Sequence, residues 1–296
     1  MGEAVALGEI QETLLIPLYG RAVDAQRSNS VLHDTKAGGF VAAIDYDFEK
    51  FRGPSLAGSV LRASIFDEYV RGFLAAHPGG TVIDLGCGLS TRFDRLDNGR
   101  VRWFDPDVPD TMALRRRFCG DSGRYTMLDG SLFDDKWWAP VTEAGGPVFV
   151  LSEAVLLYFT AEEVTGQLRK IAAAFPATHV AFDTGGTAMM NTQDRNPVFK
   201  AVRARMKWTC DDPRTLEECG MRLLESRTFA TPQKTLRHTW PARYRVGLRA
   251  LGWAPPVKTY KLNLFMTHGV AGKIRLTSQD SGELHGRVDN CWFRFR

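Results

Sequence analysis

Apolar residues along the chain gather into runs separated by amphipathic stretches. The runs are "TVIDLG" from Thr81, "VRWFD" from Val101, "RYTMLDG" from Arg124, "PVFVLSEAVLLYF" from Pro147 and "THVAFDT" from Thr178. Most are near-continuous and rich in β-branched or aromatic residues, which predicts strands covered on both faces. Between the last two lies "TAEEVTGQLRKIAAAF", where Thr160 and Glu163 form a capping box and Val164, Leu168 and Ile171 share one helical face. "SVLRASIFDEYVRGFLAAHPGG" reads as an amphipathic helix leading into the first strand and stopped by Pro78 and the glycines after it. Strands alternating with helices predict an α/β fold with a parallel sheet.

The flanks are less regular. About 55 residues ahead of the alternation read as mostly helical, from "ETLLIPLYGRAVDAQRS" to "AIDYDFEKF". That preface is too short for a domain of its own and is expected to cap the carboxyl edge of the sheet. After Asp183 the pattern loosens through "NPVFKAVRARMKWTCDDPRTLEECG", and "VKTYKLNLFM" from Val257 is the expected last strand. The organisation expected is one domain over 1–296: a helical cap (1–55), a Rossmann-like core with a substrate-covering insertion (56–266) and a possible tail (267–296).

Composition narrows the function classes. The 296 residues are 44% hydrophobic and 24% charged, with a formal charge of only +4. Nucleic-acid binding calls for a concentrated basic stripe, and the densest run, Arg115-Arg116-Arg117, reads as a solvated helix face. Five cysteines are scattered without a CxxC pair, and no histidines stand at ligand spacing, so no metal site is expected. Glu3, Glu9 and Glu12 do not suit a signal peptide, no run approaches the ~20 apolar residues of a membrane span, and Ala6 breaks the myristoylation pattern after Met1-Gly2. A cytoplasmic protein with reduced thiols and without nucleic-acid or membrane partners is expected, its oligomeric state left open.

The most specific local signal is "TVIDLGCGLSTRF". A strand running into a glycine turn before a helix makes room for a ligand against backbone. Gly86 permits the sharp turn and Gly88 leaves its side free, but Thr91 stands where a dinucleotide fingerprint has its third glycine. A ligand without a pyrophosphate, such as S-adenosylmethionine, needs only the close approach. Its ribose would need an acceptor at the end of the next strand, where Asp105 and Asp107 stand. A tight turn followed by a surface acid is the plainer alternative.

The run "RASIFDEYV…VIDLGCGLSTRFDRLDNGRVRWFDPDVPD", with "ETLLIPLYGRAVDAQRSNSVLHDTKA", "IDYDFEKF", "SLFDDKWW" and "LSEAVLLYFTAEEV", resembles the leucine carboxyl methyltransferase family. The likeness covers roughly residues 10 to 265 and is nearest to bacterial members that methylate polyketide-type small molecules. It implies a Rossmann-like fold and S-adenosylmethionine as cofactor. Carried over by position, Arg62 pairs the methionine carboxylate, with Lys36 of "HDTKA" reaching the same group. Gly86 and Gly88 form the glycine loop, Asp107 takes the ribose, and Glu153 lies near the methionine amino group. Where the family places an acid and an apolar residue on the adenine, this chain has Ser131-Leu132.

Methyl transfer from a sulfonium is an in-line displacement, much of whose acceleration comes from positioning. A carboxylate acceptor (pKa ~4) is already ionised, whereas a phenol (~10) benefits from a base. None of His33, His77, His179, His238, His268 and His285 falls in a recognised motif, and only His33 and His238 lie in segments that could cover the site. The missing base favours carboxylate O-methylation. Arg21 and Arg243 are candidate cations for that carboxylate, with Tyr19 and Tyr158 as donors. Met189, Met190, Phe199, Met206, Trp208 and Trp240 are candidates for an apolar acceptor pocket or for ordinary core. The competing readings are a phenolic O-methyltransferase, a protein C-terminal carboxyl methyltransferase, a nicotinamide-dependent oxidoreductase and a non-catalytic binding module. Thr91 and the lack of a Tyr-x-x-x-Lys pair count against the oxidoreductase.

Overall fold

The computed structural model describes residues 3–4, 7–53 and 55–268. Seven strands form the central sheet: β1 (Thr81–Asp84), β2 (Arg102–Asp107), β3 (Tyr125–Asp129), β4 (Val148–Ser152), β5 (His179–Gly185), β6 (Met221–Arg227) and β7 (Tyr260–Thr267). Their spatial order is β3-β2-β1-β4-β5-β7-β6. The first five are parallel, and β7 runs antiparallel between β5 and β6. The order reverses between β1 and β4, the switch point at which open α/β sheets bind ligands beyond the strands' carboxyl ends. Because β7 is antiparallel, its first residue, Tyr260, pairs with Gly185 and lies at that same edge.

The helices that matter for the site are α1 (Leu15–Ala25), α2 (Thr35–Ala43), α3 (Ser55–Ala76), α4 (Arg92–Leu96), α5 (Pro109–Arg115), α6 (Trp138–Ala144) and α7 (Ala161–Ala174). Successive strand residues face opposite layers, as the pleat requires. Val82, Phe149 and Ala181 pack with Ile65, Phe66, Val70 and Phe73 of α3. Ile83, Val150, Val180 and Phe182 pack with Val164, Leu168 and Ile171 of α7. The capping box forms as the sequence predicts, Thr160 accepting from the Glu163 N–H while the Glu163 side chain returns to the Thr160 N–H.

In the N-terminal segment, Leu15, Leu18 and Ala22 of α1 pack on Ala37 and Phe40 of α2 and on Leu56, Leu89 and Leu114. This apolar seam seats the segment over the glycine loop. Residues 3–4 add a two-residue parallel ladder to Ile44–Asp45. Strand β6 lies in the stretch where the sequence shows no strand pattern; its neighbouring Leu223 and Leu224 face opposite sides, and a register shift falls between Leu223 and Glu225. Arg115, expected on a solvated face, is buried instead against Asp105 and Tyr125. Trp208 and Trp240 belong to the two core layers, the latter donating to Ser64 at 3.0 Å, and neither lines the cavity at the carboxyl edge of the sheet. Thr267 still belongs to β7; the rest of the expected tail, apart from His268, lies outside the described residues. Among the described residues no helix is long and apolar enough to cross a membrane.

Candidate active site

A cavity of about 490 Å³ opens at the carboxyl edge of the sheet, between the glycine loop, the loop after β4, the N-terminal segment and the start of β7. The glycine loop forms one wall. Gly86 and Gly88 have φ of +70° and +54°, left-handed values that glycine adopts without strain. A Cβ on Gly86 would lie 2.6 Å from Val155 Cγ2, so the loop can approach the β4 loop this closely only without a side chain. Three side chains fix its backbone. Arg115 donates to the Gly88 carbonyl at 2.9 Å, Arg21 to the Leu89 carbonyl at 2.7 Å, and Asp107 accepts from the Gly88 N–H at 2.8 Å.

Asp107 ends β2 and also accepts from the Val108 N–H at 2.7 Å. Burial pushes its carboxyl up to about 6, against the lowering effect of those two N–H groups. It lines the cavity, whereas Asp105 spends its carboxylate on Trp103, Tyr125 and Arg115 in the core. The structure therefore separates the two acids that the sequence left side by side.

Opposite Asp107 lies a buried network of ions. Glu153, on the loop after β4, accepts from Arg62 Nε at 2.7 Å through Oε1 and from Arg92 Nη2 through Oε2. Arg92 is 2% exposed and also holds Asp67 at 2.8 Å and Asp84 at 2.7 Å. The guanidinium charges hold the Glu153 carboxyl below its ordinary value although burial alone would raise it. Ala154, next in the chain, has φ of +57°, a strained value for a residue with a Cβ, and its N–H is held by Asp183 at 2.8 Å. Arg62 keeps Nη1 3.5 Å from the Tyr260 hydroxyl, and its Nη2 makes no hydrogen bond among the described residues. Two guanidinium nitrogens are thus available at the cavity wall for a carboxylate, beside a Glu carboxylate suited to an ammonium.

The structure brings Arg62, Gly86, Gly88, Asp107, Ser131, Leu132 and Glu153 to one cavity, together with Arg21 and Tyr158. Three expected site residues do not reach it. Lys36 is 53% exposed and pairs with Asp94 at 2.6 Å, because the first turn of α2 faces solvent. Tyr19 points into the N-terminal segment, where it donates to Glu49 at 2.5 Å. Arg243 stacks on Tyr244 at the surface and donates to Asn29 at 2.7 Å. Arg21 lines the cavity, but its guanidinium is taken by Asp34 at 2.8 Å and the Leu89 carbonyl. Arg92, Asp84 and Tyr260 line the cavity without having been singled out in the sequence. The available signal was Asp84 itself, an acid inside a buried apolar run, which requires a cationic partner.

The comparisons with known proteins bear on what this cavity holds. The leucine carboxyl methyltransferase family model matches residues 15–172. The chain belongs to the leucine carboxyl methyltransferase family. It is similar to the tetracenomycin polyketide synthesis O-methyltransferase TcmP of Streptomyces glaucescens, 32% identical over 220 residues that cover 73% of this chain and 81% of that protein. It is also 32% identical over 238 residues to the S-adenosyl-L-methionine-dependent methyltransferase dpfgK of Gibberella zeae, covering 72% and 79% of the two chains. A duf574 family protein from Streptomyces avermitilis shares the fold, with a TM-score of 0.55 at 12% identity over 86% of this chain and 97% of that one. This leucine carboxyl methyltransferase family member is an enzyme that uses S-adenosylmethionine. Its cavity fits that cofactor: a half-buried acid at the end of β2, a loop that admits no side chain at Gly86, and paired groups of opposite sign for an amino-acid zwitterion.

Proposed function

We propose that the enzyme methylates a carboxylate oxygen of a small aromatic or polyketide-like acid. Arg62 and Glu153 take the carboxylate and ammonium of the cofactor's methionine end, Asp107 the ribose hydroxyls, the Gly86–Gly88 backbone the adjoining face, and Ser131-Leu132 the adenine. When bound, S-adenosylmethionine supplies an electrophilic methyl group and a positive charge on sulfur. Residues 1–55 serve as the cap of a single methyltransferase domain.

One observation carries the choice of acceptor. Among the described residues the cavity wall includes no histidine, and each charged residue of that wall is already hydrogen-bonded to the protein. The part away from the glycine loop is lined by Leu157, Met189, Phe199, Met206, Phe229 and Val257. A neutral phenol entering there would find no free base, whereas a carboxylate arrives already ionised. Its charge needs no protein cation, since the sulfonium it must approach is one, and apolar walls strengthen that attraction by excluding water. Burial pushes the Tyr158 phenol up, so it stays a neutral hydrogen-bond donor in the same wall. The similarity to a polyketide synthesis O-methyltransferase supports a polyketide-like acceptor.

The test is incubation of the enzyme and S-adenosylmethionine with matched aromatic acids and phenols on the same ring systems, followed by mass spectrometry. Methyl esters, labile to mild base, are the expected products. Base-stable methyl ethers formed from the phenols while the acids go unmodified would overturn the carboxylate assignment.

A further inference from the structure

Strand β7 enters the sheet antiparallel, which delivers Tyr260 to the carboxyl edge from a part of the chain remote from the glycine loop. Tyr260 is buried, lines the cavity and donates its hydroxyl proton to Asp183 Oδ2. Asp183 is fully buried near the end of β5, and its other oxygen accepts the N–H of Ala154, the strained residue that follows Glu153. One carboxylate thus touches both walls of the grip: through Ala154 it sets the turn that aims Glu153, and through Tyr260 it sets what Arg62 meets. With its proton committed to Asp183, the Tyr260 oxygen presents only lone pairs to Arg62 Nη1, 3.5 Å away. An oxygen acceptor at that place keeps the guanidinium plane turned to the cavity instead of collapsing wholly onto Glu153.

We propose that Tyr260 and Asp183 are a positioning pair for the methionine end of the cofactor, holding Arg62 and Glu153 at the separation and orientation that an amino-acid zwitterion requires. The pair acts through Arg62 and Glu153, so the inference rests on their assignment above. It concerns affinity for the amino-acid end alone; the adenosine end, held by Asp107 and the glycine loop, lies outside its reach.

Two ligands separate these ends: S-adenosylhomocysteine, which carries the amino acid, and 5′-methylthioadenosine, which keeps the adenosine and thioether but lacks it. Calorimetric titration of the full chain with both is to be compared for the parent, Tyr260→Phe and Asp183→Asn. Tyr260→Phe is expected to weaken S-adenosylhomocysteine about tenfold, the range of one hydrogen bond to a charged group, and to leave 5′-methylthioadenosine within twofold. Asp183→Asn, which also loosens the Ala154 turn, is expected to weaken S-adenosylhomocysteine further, again without touching the smaller ligand. Unchanged S-adenosylhomocysteine affinity in Tyr260→Phe would overturn the proposal, as would equal weakening of both ligands, the mark of a packing role. If the parent itself binds the two ligands equally, the Arg62 and Glu153 assignment fails first and the proposal falls with it. Binding of 5′-methylthioadenosine also reports whether each variant is folded, so a misfolded variant cannot pass as a positive result.

Discussion

Gly86→Ala tests the glycine loop most sharply, because two separable costs fall on one added methyl group. The backbone there has φ of +70°, where an alanine costs ~1–2 kcal/mol more than glycine. The new Cβ would also sit 2.6 Å from Val155 Cγ2 and 2.9 Å from Cγ1, distances at which something must move. Val155 is β-branched and stiff at χ1, so the overlap is relieved only by shifting the loop after β4, at ~1–3 kcal/mol. The sum, about 3 kcal/mol, corresponds to a fall in Tm of roughly 6 °C for a chain of this size. Since Glu153 lies two residues before Val155, the same shift should also weaken S-adenosylhomocysteine binding by more than tenfold. The assay is a double-mutant cycle with Val155→Ala, read by thermal denaturation and calorimetry. Val155→Ala in the Gly86→Ala background should recover the overlap, a coupling of at least ~1 kcal/mol, and leave the φ cost in place. Strict additivity of the two substitutions, or a Gly86→Ala variant that melts and binds like the parent, would refute the contact argument.

Asp107→Asn addresses pH. Burial raises the Asp107 carboxyl to about 6, so the free protein bears a penalty for its ionised form above that pH, and the penalty fades as the pH falls towards the ordinary carboxylate value of ~3.9. Ribose hydroxyls favour the ionised acceptor, so S-adenosylhomocysteine affinity should begin to fall as the pH drops through about 6, a slope visible between about pH 7 and pH 5. Titrations across this range should show that slope in the parent and a weaker, flat profile in Asp107→Asn; equal slopes would remove Asp107 from the ribose. Lys36→Ala should leave S-adenosylhomocysteine affinity within twofold and Tm within about 1 °C, since an exposed pair with Asp94 contributes little. A tenfold loss of affinity would return Lys36 to the cofactor.

Much of the fold was legible because parallel strands covered on both faces appear as uninterrupted apolar runs, and β1, β4 and β5 are of that kind. Strand β6 gave no such signal: its exposed and covered positions alternate, but apolar Leu224 stands on the solvent side with Arg222 and Ser226, and charged Glu225 and Arg227 stand on the covered side. Local pattern likewise could not tell Arg115 from Arg116. Arg115 is buried against Asp105, while Arg116 pairs with Asp129 on the surface, and only the sheet register decides which acid lies under which arginine. Gly86 was singled out by the glycine turn and Asp107 as one of two strand-end acids, while Arg62 and Glu153 came through resemblance; these four line one cavity, whereas Lys36, carried over the same way, is turned to solvent by α2.

The buried ions around Glu153 show why this site has to be built by folding. Arg92 gathers Asp67 from α3, Asp84 from β1 and Glu153 from the β4 loop, and Arg95 adds Asp34 and Asp67. Burying such groups is unfavourable unless each is paired, and a single unpaired member costs several kcal/mol. On the assignment proposed above, folding has already taken largely out of water the charges that would meet the cofactor's zwitterion, and binding would need to desolvate mainly the ligand. The same pairing fixes Glu153 through two arginines on different elements, so the grip keeps its geometry before the ligand arrives. A surface Arg–Glu pair of the same composition would have to be ordered and dehydrated at the moment of binding, and would hold a methionine end correspondingly less well.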